Sequence, residues 1–189
     1  MSEFQIIGVF GISGVGKSTL IAEAQKIAPN SLHIQASALI KRGLEDRGIN
    51  SEALRRRPGG QIRSHQDILL DSFWRTVQAQ PHRLVVFDGH LVIDTDRELV
   101  EIPLEVIASL RPSLMVHLED DAEKIGARRS QDRDRVRPVR SEEILEKHQR
   151  LSRRLCEAYA AALDTEMLVC GPDDVERFRS LLHGRRQKA

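Results

Sequence analysis

Cysteine is scarce in this 189-residue chain: Cys156 and Cys170 are the only two, and no histidine pair stands near either at zinc spacing. They form no Cys-x-x-Cys motif and fall in apolar periodic stretches. A disulfide framework and a structural zinc site are thereby excluded, and two reduced core thiols are expected. Long apolar runs are missing too. The N-terminal MSEFQIIGVFG has no basic leader, its apolar run ends at glycine, and no stretch nears the roughly 20 residues of a membrane span. A cytoplasmic protein with no membrane partner is expected. Net charge is equally short, because 29 basic and 28 acidic side chains leave +1. That balance argues against a dedicated nucleic-acid binder, while leaving open how the charge is distributed. Internal repeats and low-complexity linkers are absent.

What is present is a chain able to fold. Hydrophobic residues make up 40% and charged residues 30%, the proportions of a folded soluble protein. At roughly 150 residues per domain the length points to one domain. Such a chain buries roughly 70% of its unfolded surface without needing disulfides or a metal.

Short apolar runs alternate with longer helical patterns, as in an α/β fold with a parallel sheet. Strands are predicted over Ile6–Phe10, Leu32–Ala36, Leu84–Phe87, Leu114–Leu118 and Met167–Cys170. Helices are predicted over Ser18–Ile27, Ala38–Asp46, Pro103–Leu110 and a long stretch whose stripe is Ile62, Leu69, Leu70, Phe73, Trp74 and Val77. Ser141-Glu142-Glu143 has a capping serine and acids in the first turn of another helix. Ile144, Leu145, His148, Leu151, Leu155, Tyr159 and Ala162 would form its apolar face. Asp173-x-x-Glu176 resembles a capping box for a last helix.

The strongest motif is Gly11-Ile12-Ser13-Gly14-Val15-Gly16-Lys17-Ser18, a full G-x-x-x-x-G-K-[ST] sequence between the first strand and the first helix. Glycines let the backbone curl so that successive N–H groups point at phosphate oxygens, and the helix adds its positive dipole end. Lys17 can reach the β- and γ-phosphates, and the Ser18 hydroxyl can face Mg²⁺. Gly11, Ser13, Gly14, Val15, Gly16, Lys17, Ser18 and Thr19 are the candidate residues for ATP. A GTPase would carry Asp-x-x-Gly and Asn-Lys-x-Asp, and neither occurs. An ABC-type ATPase would need Leu-Ser-Gly-Gly-Gln, of which Pro58-Gly59-Gly60-Gln61 matches only the end. A small kinase or a nucleotide-dependent switch remains.

Asp88 closes the most apolar strand. The carboxyl ends of parallel strands line the ligand crevice, so Asp88 is a candidate to hold Mg²⁺ with Ser18 or to position the acceptor, with His90 beside it. Between residues 128 and 140 the apolar pattern stops. Six arginines, Arg128, Arg129, Arg133, Arg135, Arg137 and Arg140, stand against Asp132 and Asp134. Guanidinium forks suit bidentate phosphate contacts, and a lid carrying them would stabilise charge on a transferring phosphoryl group while expelling water.

These residues together resemble the nucleoside monophosphate kinases, in particular archaeal-type adenylate kinases, from the phosphate loop to the last helix. Asp88-Gly89-His90 resembles that family's Asp-x-His. Arg128-Arg129-x-x-Asp132-x-x-Arg135-x-Arg137 resembles its lid, and Glu146-x-His148-Gln149, with Arg153 and Tyr159, resembles the helix that follows. The resemblance implies that Arg128, Arg129, Arg135, Arg137 and Arg153 contact the transferring phosphates. On the acceptor side it implies Arg55 or Arg56 for the monophosphate, with Gln61 or Gln66 as base contacts. The expected fold is α/β, a P-loop NTPase three-layer sandwich with a five-stranded parallel sheet. One kinase domain would span 1–189, with an acceptor-binding helical insertion at 37–80 and an arginine-rich lid at 121–140. The expected activity is ATP- and Mg²⁺-dependent transfer to a nucleoside monophosphate, AMP first, with small-molecule nucleotides as partners. A kinase acting on a hydroxyl with Asp88 as base, or a nucleotide-dependent switch protein, is the alternative.

Overall fold

A computed structural model describes residues 4–27, 31–46, 48, 60–79, 84–132 and 137–186. Its elements run β1 (Gln5–Phe10), α1 (Lys17–Ile27), β2 (Ser31–Gln35), α2 (Ala36–Glu45), α3 (Gly60–Gln78) and β3 (Leu84–Asp88). A hairpin of β4 (Val92–Asp94) and β5 (Leu99–Glu101) follows, then α4 (Leu104–Leu110), β6 (Leu114–Leu118) and α5 (Ala122–Gln131). The chain ends with α6 (Glu142–Ala162), β7 (Met167–Cys170) and α7 (Val175–Arg186).

The main sheet has five strands in the order β2-β3-β1-β6-β7, every pairing parallel. Its central strands β1, β3 and β6 are apolar on successive residues because helices cover both faces. One face packs Leu20, Ile21 and Ala24 of α1 with Phe178 and Leu182 of α7. The other packs Phe73 and Val77 of α3, Ile107 and Leu110 of α4, and Cys156 and Ala160 of α6. Phe73 meets Phe87 of β3 edge-on at 5.6 Å between ring centroids. The expected three-layer α/β sandwich is therefore present.

Three local expectations need correction. The start of the arginine-rich stretch is helical: α5 continues through Arg128 and Arg129 to Gln131, capped by the Asp121 carboxylate accepting from Glu123 N–H. The inward face of α6 is Leu145, Gln149, Ser152, Cys156 and Ala160, whereas Ile144 is 38% exposed and Ala162 faces solvent. The apolar pattern found Leu145, Leu155 and Tyr159, which pack on the core, and missed Gln149 and Ser152 because they are polar. Gln149 exchanges two hydrogen bonds with the backbone of Asp120, and Ser152 bonds the His117 ring at 2.9 Å, so both are buried at little cost. Finally, Asp174 rather than Asp173 starts α7, accepting from Gly171 N–H through its side chain and from Phe178 N–H through its carbonyl.

Both cysteines are buried and free. Burial pushes the Cys156 thiol up to about 12 and raises that of Cys170. No helix among the described residues is long and apolar enough to cross a membrane.

Candidate active site

The loop between β1 and α1 is shaped by its glycines. Gly14 has φ +87°, and a Cβ there would stand 2.7 Å from Arg129 Cγ; Gly16 has φ +103° and lies against Pro172. Neither position tolerates a side chain, so the backbone amides stay open to a ligand. Val15 is fully buried in the core and can offer only its backbone. The loop ends where α1 begins at Lys17, which places a helix N-terminus against the same space.

Lys17 is 5% exposed, and its Nζ donates to the carbonyls of Gly11 at 3.0 Å and Ile12 at 3.3 Å. It lies 3.9 Å from Asp88 Oδ1. Adjacent registers bring the end of β3 beside those of β1 and β2, since Asp88 pairs with Val9 and with Gln35. The Asp88 carboxylate thus meets α1, where Ser18 Oγ donates to Oδ2 at 2.7 Å. Gln35 Nε2 donates to the same Ser18 oxygen at 3.2 Å, and His33 Nε2 stands 3.7 Å from Asp88 Oδ2. Burial works against ionising Asp88, but His33, the Lys17 charge, the Ser18 hydroxyl and His90 outweigh it and hold the group well below the usual carboxylate range. His90 Nδ1 lies 2.7 Å from the Gly11 carbonyl and 3.3 Å from Lys17 Nζ. A carbonyl only accepts and an ammonium only donates, so the shorter contact puts the ring proton on Nδ1.

Lys17, Ser18, Gln35, Asp88 and His90 line a crevice of about 380 Å³ together with Arg128, Asp132 and Arg137. Arg128 donates to the Gly14 carbonyl at 3.1 Å and pairs with Asp120. Arg137 pairs with Asp132 at 2.6 Å. Lys17, Ser18, Thr19, Asp88, His90, Arg128 and Arg137 are therefore brought together as the sequence reading expected. Two arginines are not. Arg129 is 9% exposed, with its head turned away to Asp94 at 2.8 Å. Arg153 sits on the open side of α6, bonded to Glu157 at 2.9 Å and Glu119 at 3.3 Å, and does not line the crevice. Gln66 is buried within α3. Arg55, Arg56, Arg133, Arg135 and the Gln61 side chain lie outside the described residues.

The sequence reading missed Gln35 and Asp94. Gln35 was findable, as the last residue of a strand whose carboxyl end faces the crevice. Asp94 had no such signal, because it ends a strand of only three residues, too short to show a period of two.

The chain as a whole is similar to known proteins. A family model described as an AAA domain matches residues 10–146. The adenylate kinase of Pyrococcus abyssi is 30% identical over 162 residues, covering 82% of this chain and 80% of its own length. The chain belongs to the adenylate kinase family. Another relative, the adenylate kinase of Methanopyrus kandleri, is 26% identical and covers 82% of this chain and 83% of its own. At the level of fold, the family member is similar to shikimate kinase from Acinetobacter baumannii in complex with shikimate, with a TM-score of 0.61 and 15% identity over 96% of this chain and 94% of that one. A deoxyadenosine kinase from M. mycoides gives a TM-score of 0.53 at 15% identity, over 98% of this chain and the whole of that one. The family member is a nucleoside monophosphate kinase-like phosphotransferase with a P-loop kinase fold.

Proposed function

We propose that the chain transfers the γ-phosphoryl group of ATP to a nucleoside monophosphate, with AMP the first acceptor to test and Mg²⁺ required. The observation that carries this reading is the crevice itself, which is lined by the phosphate loop, Lys17, Ser18 and Asp88 together with Arg128 and Arg137. The two relatives described above, both adenylate kinases, support it.

The loop amides and the α1 N-terminus take the β-phosphate oxygens, while Lys17 bridges toward the γ-phosphate. Lys17 is held by carbonyls, so binding exchanges those acceptors for phosphate oxygens without moving the helix. Arg128 and Arg137 then neutralise the charge that builds on the transferring group. Ser18 and Asp88 fit a divalent cation, being a hydroxyl and an ionised carboxylate 2.7 Å apart, both hard oxygen donors. Among the described residues no cluster of three or more His, Cys, Asp or Glu could cage a metal. The donor set therefore suits an ion that keeps most of its water. Mg²⁺ held by Ser18 and Asp88 would supply positive charge to neutralise the polyphosphate.

A monophosphate acceptor is already anionic and needs no strong base, so positioning and charge carry the rate. Asp88, held in its charged form by Lys17, Ser18 and its histidines, is a weak base. The 37–80 segment and Arg55 or Arg56 are proposed to hold the acceptor, and 121–140 to serve as the lid, with Arg135 among its phosphate contacts.

The test is a coupled assay with ATP and Mg²⁺ across nucleoside monophosphates, nucleosides and sugars. ADP formed with AMP as acceptor is expected. Turnover with hydroxyl acceptors alone, or phosphate release independent of any acceptor, would overturn the reading.

A further inference from the structure

We propose that Asp94, which the phosphate chemistry does not use, is a positioning residue that pins both roots of the arginine-rich segment beside the phosphate loop. Its carboxylate is 10% exposed and has both oxygens engaged by cations. Oδ2 accepts from Arg129 Nη2 at 2.8 Å. Oδ1 accepts from Arg140 Nε at 3.2 Å and Nη2 at 3.0 Å, and Arg140 Nη2 reaches on to the Thr95 carbonyl at 3.0 Å. His148 Nδ1 stands 3.8 Å away. Burial, with Arg129 and Arg140 nearby, holds His148 below the usual imidazole range despite the pull of Asp94. The two guanidiniums, not an imidazolium, neutralise the carboxylate.

The three partners belong to different parts of the chain. Arg129 is in the last turn of α5, Arg140 precedes α6, and His148 is within α6. Asp94 therefore fastens two points eleven positions apart in sequence, and between them Asp132 and Arg137 line the crevice. The fastening point is itself firm. Thr95 closes the hairpin turn by accepting Glu98 N–H at 3.0 Å on its hydroxyl, and the Thr95 backbone N–H donates to the Glu98 carbonyl at 3.0 Å.

Arg129 carries the effect to the nucleotide side. With its head on Asp94, its methylene stem occupies the space that a Gly14 Cβ would need. The stem thus fixes how closely α5 approaches the phosphate loop, and it fixes its neighbour Arg128 against the Gly14 carbonyl. Without the carboxylate, two close guanidiniums repel each other and a buried one loses its counter-charge. The segment must then be ordered when ATP arrives, which weakens binding more than it slows the chemical step.

This inference rests on the crevice being the site of ATP, and its experiment separates the two. Asp94→Ala would strand a buried charge and can unfold the chain. Asp94→Asn, which keeps an acceptor, and Arg140→Ala, which leaves Arg129 paired, are the working variants. Hydrogen exchange without nucleotide is expected to quicken at Arg128–Gln131 in Asp94→Asn and at Val139–Ser141 in Arg140→Ala, with β1 and α1 unchanged. Titration calorimetry is expected to give a Kd for ATP raised about tenfold, while kcat at saturating ATP stays within about threefold. Unchanged exchange at Arg128–Gln131 in Asp94→Asn or at Val139–Ser141 in Arg140→Ala, or a fall in melting temperature with ATP affinity unaltered, would overturn the proposal. If the wild-type chain does not bind ATP, the functional reading fails, and the exchange result alone then supports or overturns the pinning.

Discussion

Ser18 Oγ donates to Asp88 Oδ2 at 2.7 Å across a sequence separation of 70 residues, which joins the start of the first helix to the end of the third strand. Replacing Asp88 with asparagine keeps the shape and removes the charge. Turnover is expected to fall about 100-fold, with a steeper Mg²⁺ requirement, as measured by initial rates across a Mg²⁺ series. The depressed ionisation of Asp88 contributes stability above the ordinary carboxylate value of about 3.9, and loses it as the pH falls below that value. Between pH 5 and 8 the wild-type rate should therefore carry no inflection from Asp88.

Lys17→Ala removes the ammonium that the proposed function places toward the phosphates. Loss of at least about 100-fold in kcat is expected, with the fold retained by circular dichroism. Lys17→Arg should not rescue it, because a planar fork does not fit a slot that leaves the lysine 5% exposed. Wild-type turnover in Lys17→Ala would remove Lys17 from the mechanism, and wild-type turnover in Lys17→Arg would show that the slot accepts a guanidinium.

Gly14→Ala tests the loop geometry. The new methyl would meet Arg129 Cγ at 2.7 Å on a backbone with φ +87°. A loss of about 1–3 kcal/mol in stability is expected from strain alone, together with weaker ATP binding as the loop and α5 move apart. Urea denaturation and calorimetry would read the two effects.

His117 lies fully buried on β6, its Nε2 shared with Ser152. Burial, with smaller contributions from Lys17 and Arg153, lowers its ionisation to about 4. The unfolded chain takes up this proton as the pH drops through about 6.5, and the folded chain does not until about 4. The unfolded state binds more protons in that window, so stability falls there by up to about 3 kcal/mol and is flat above it. His117→Gln, which can still bond Ser152, should flatten the slope between pH 6.5 and 4 in denaturation curves. An unchanged slope would show that other groups set it.

The central strands were legible in the sequence because they are buried on both faces and so read as apolar runs, Leu84–Phe87 above all. The phosphate loop was legible because its glycines, lysine and serine are contiguous and each is required by backbone geometry or phosphate charge. The polar members of the α6 face were not, since Gln149 and Ser152 are inward through hydrogen bonds to Asp120 and His117. The β4–β5 hairpin was also missed, its strands of three residues each being too short to establish a period of two.

The sequence by itself determined the α/β class, the phosphate-binding loop and a concentration of arginine between residues 128 and 140, because each of these is written in local pattern and composition. Which of those arginines face the crevice was decided only by the tertiary structure. Identical guanidiniums one residue apart part company because Arg128 meets the Gly14 carbonyl and Asp120, while Arg129 meets a buried carboxylate 35 residues upstream. Charge on a side chain is fixed by its type; the partner that neutralises it is fixed by how the chain folds.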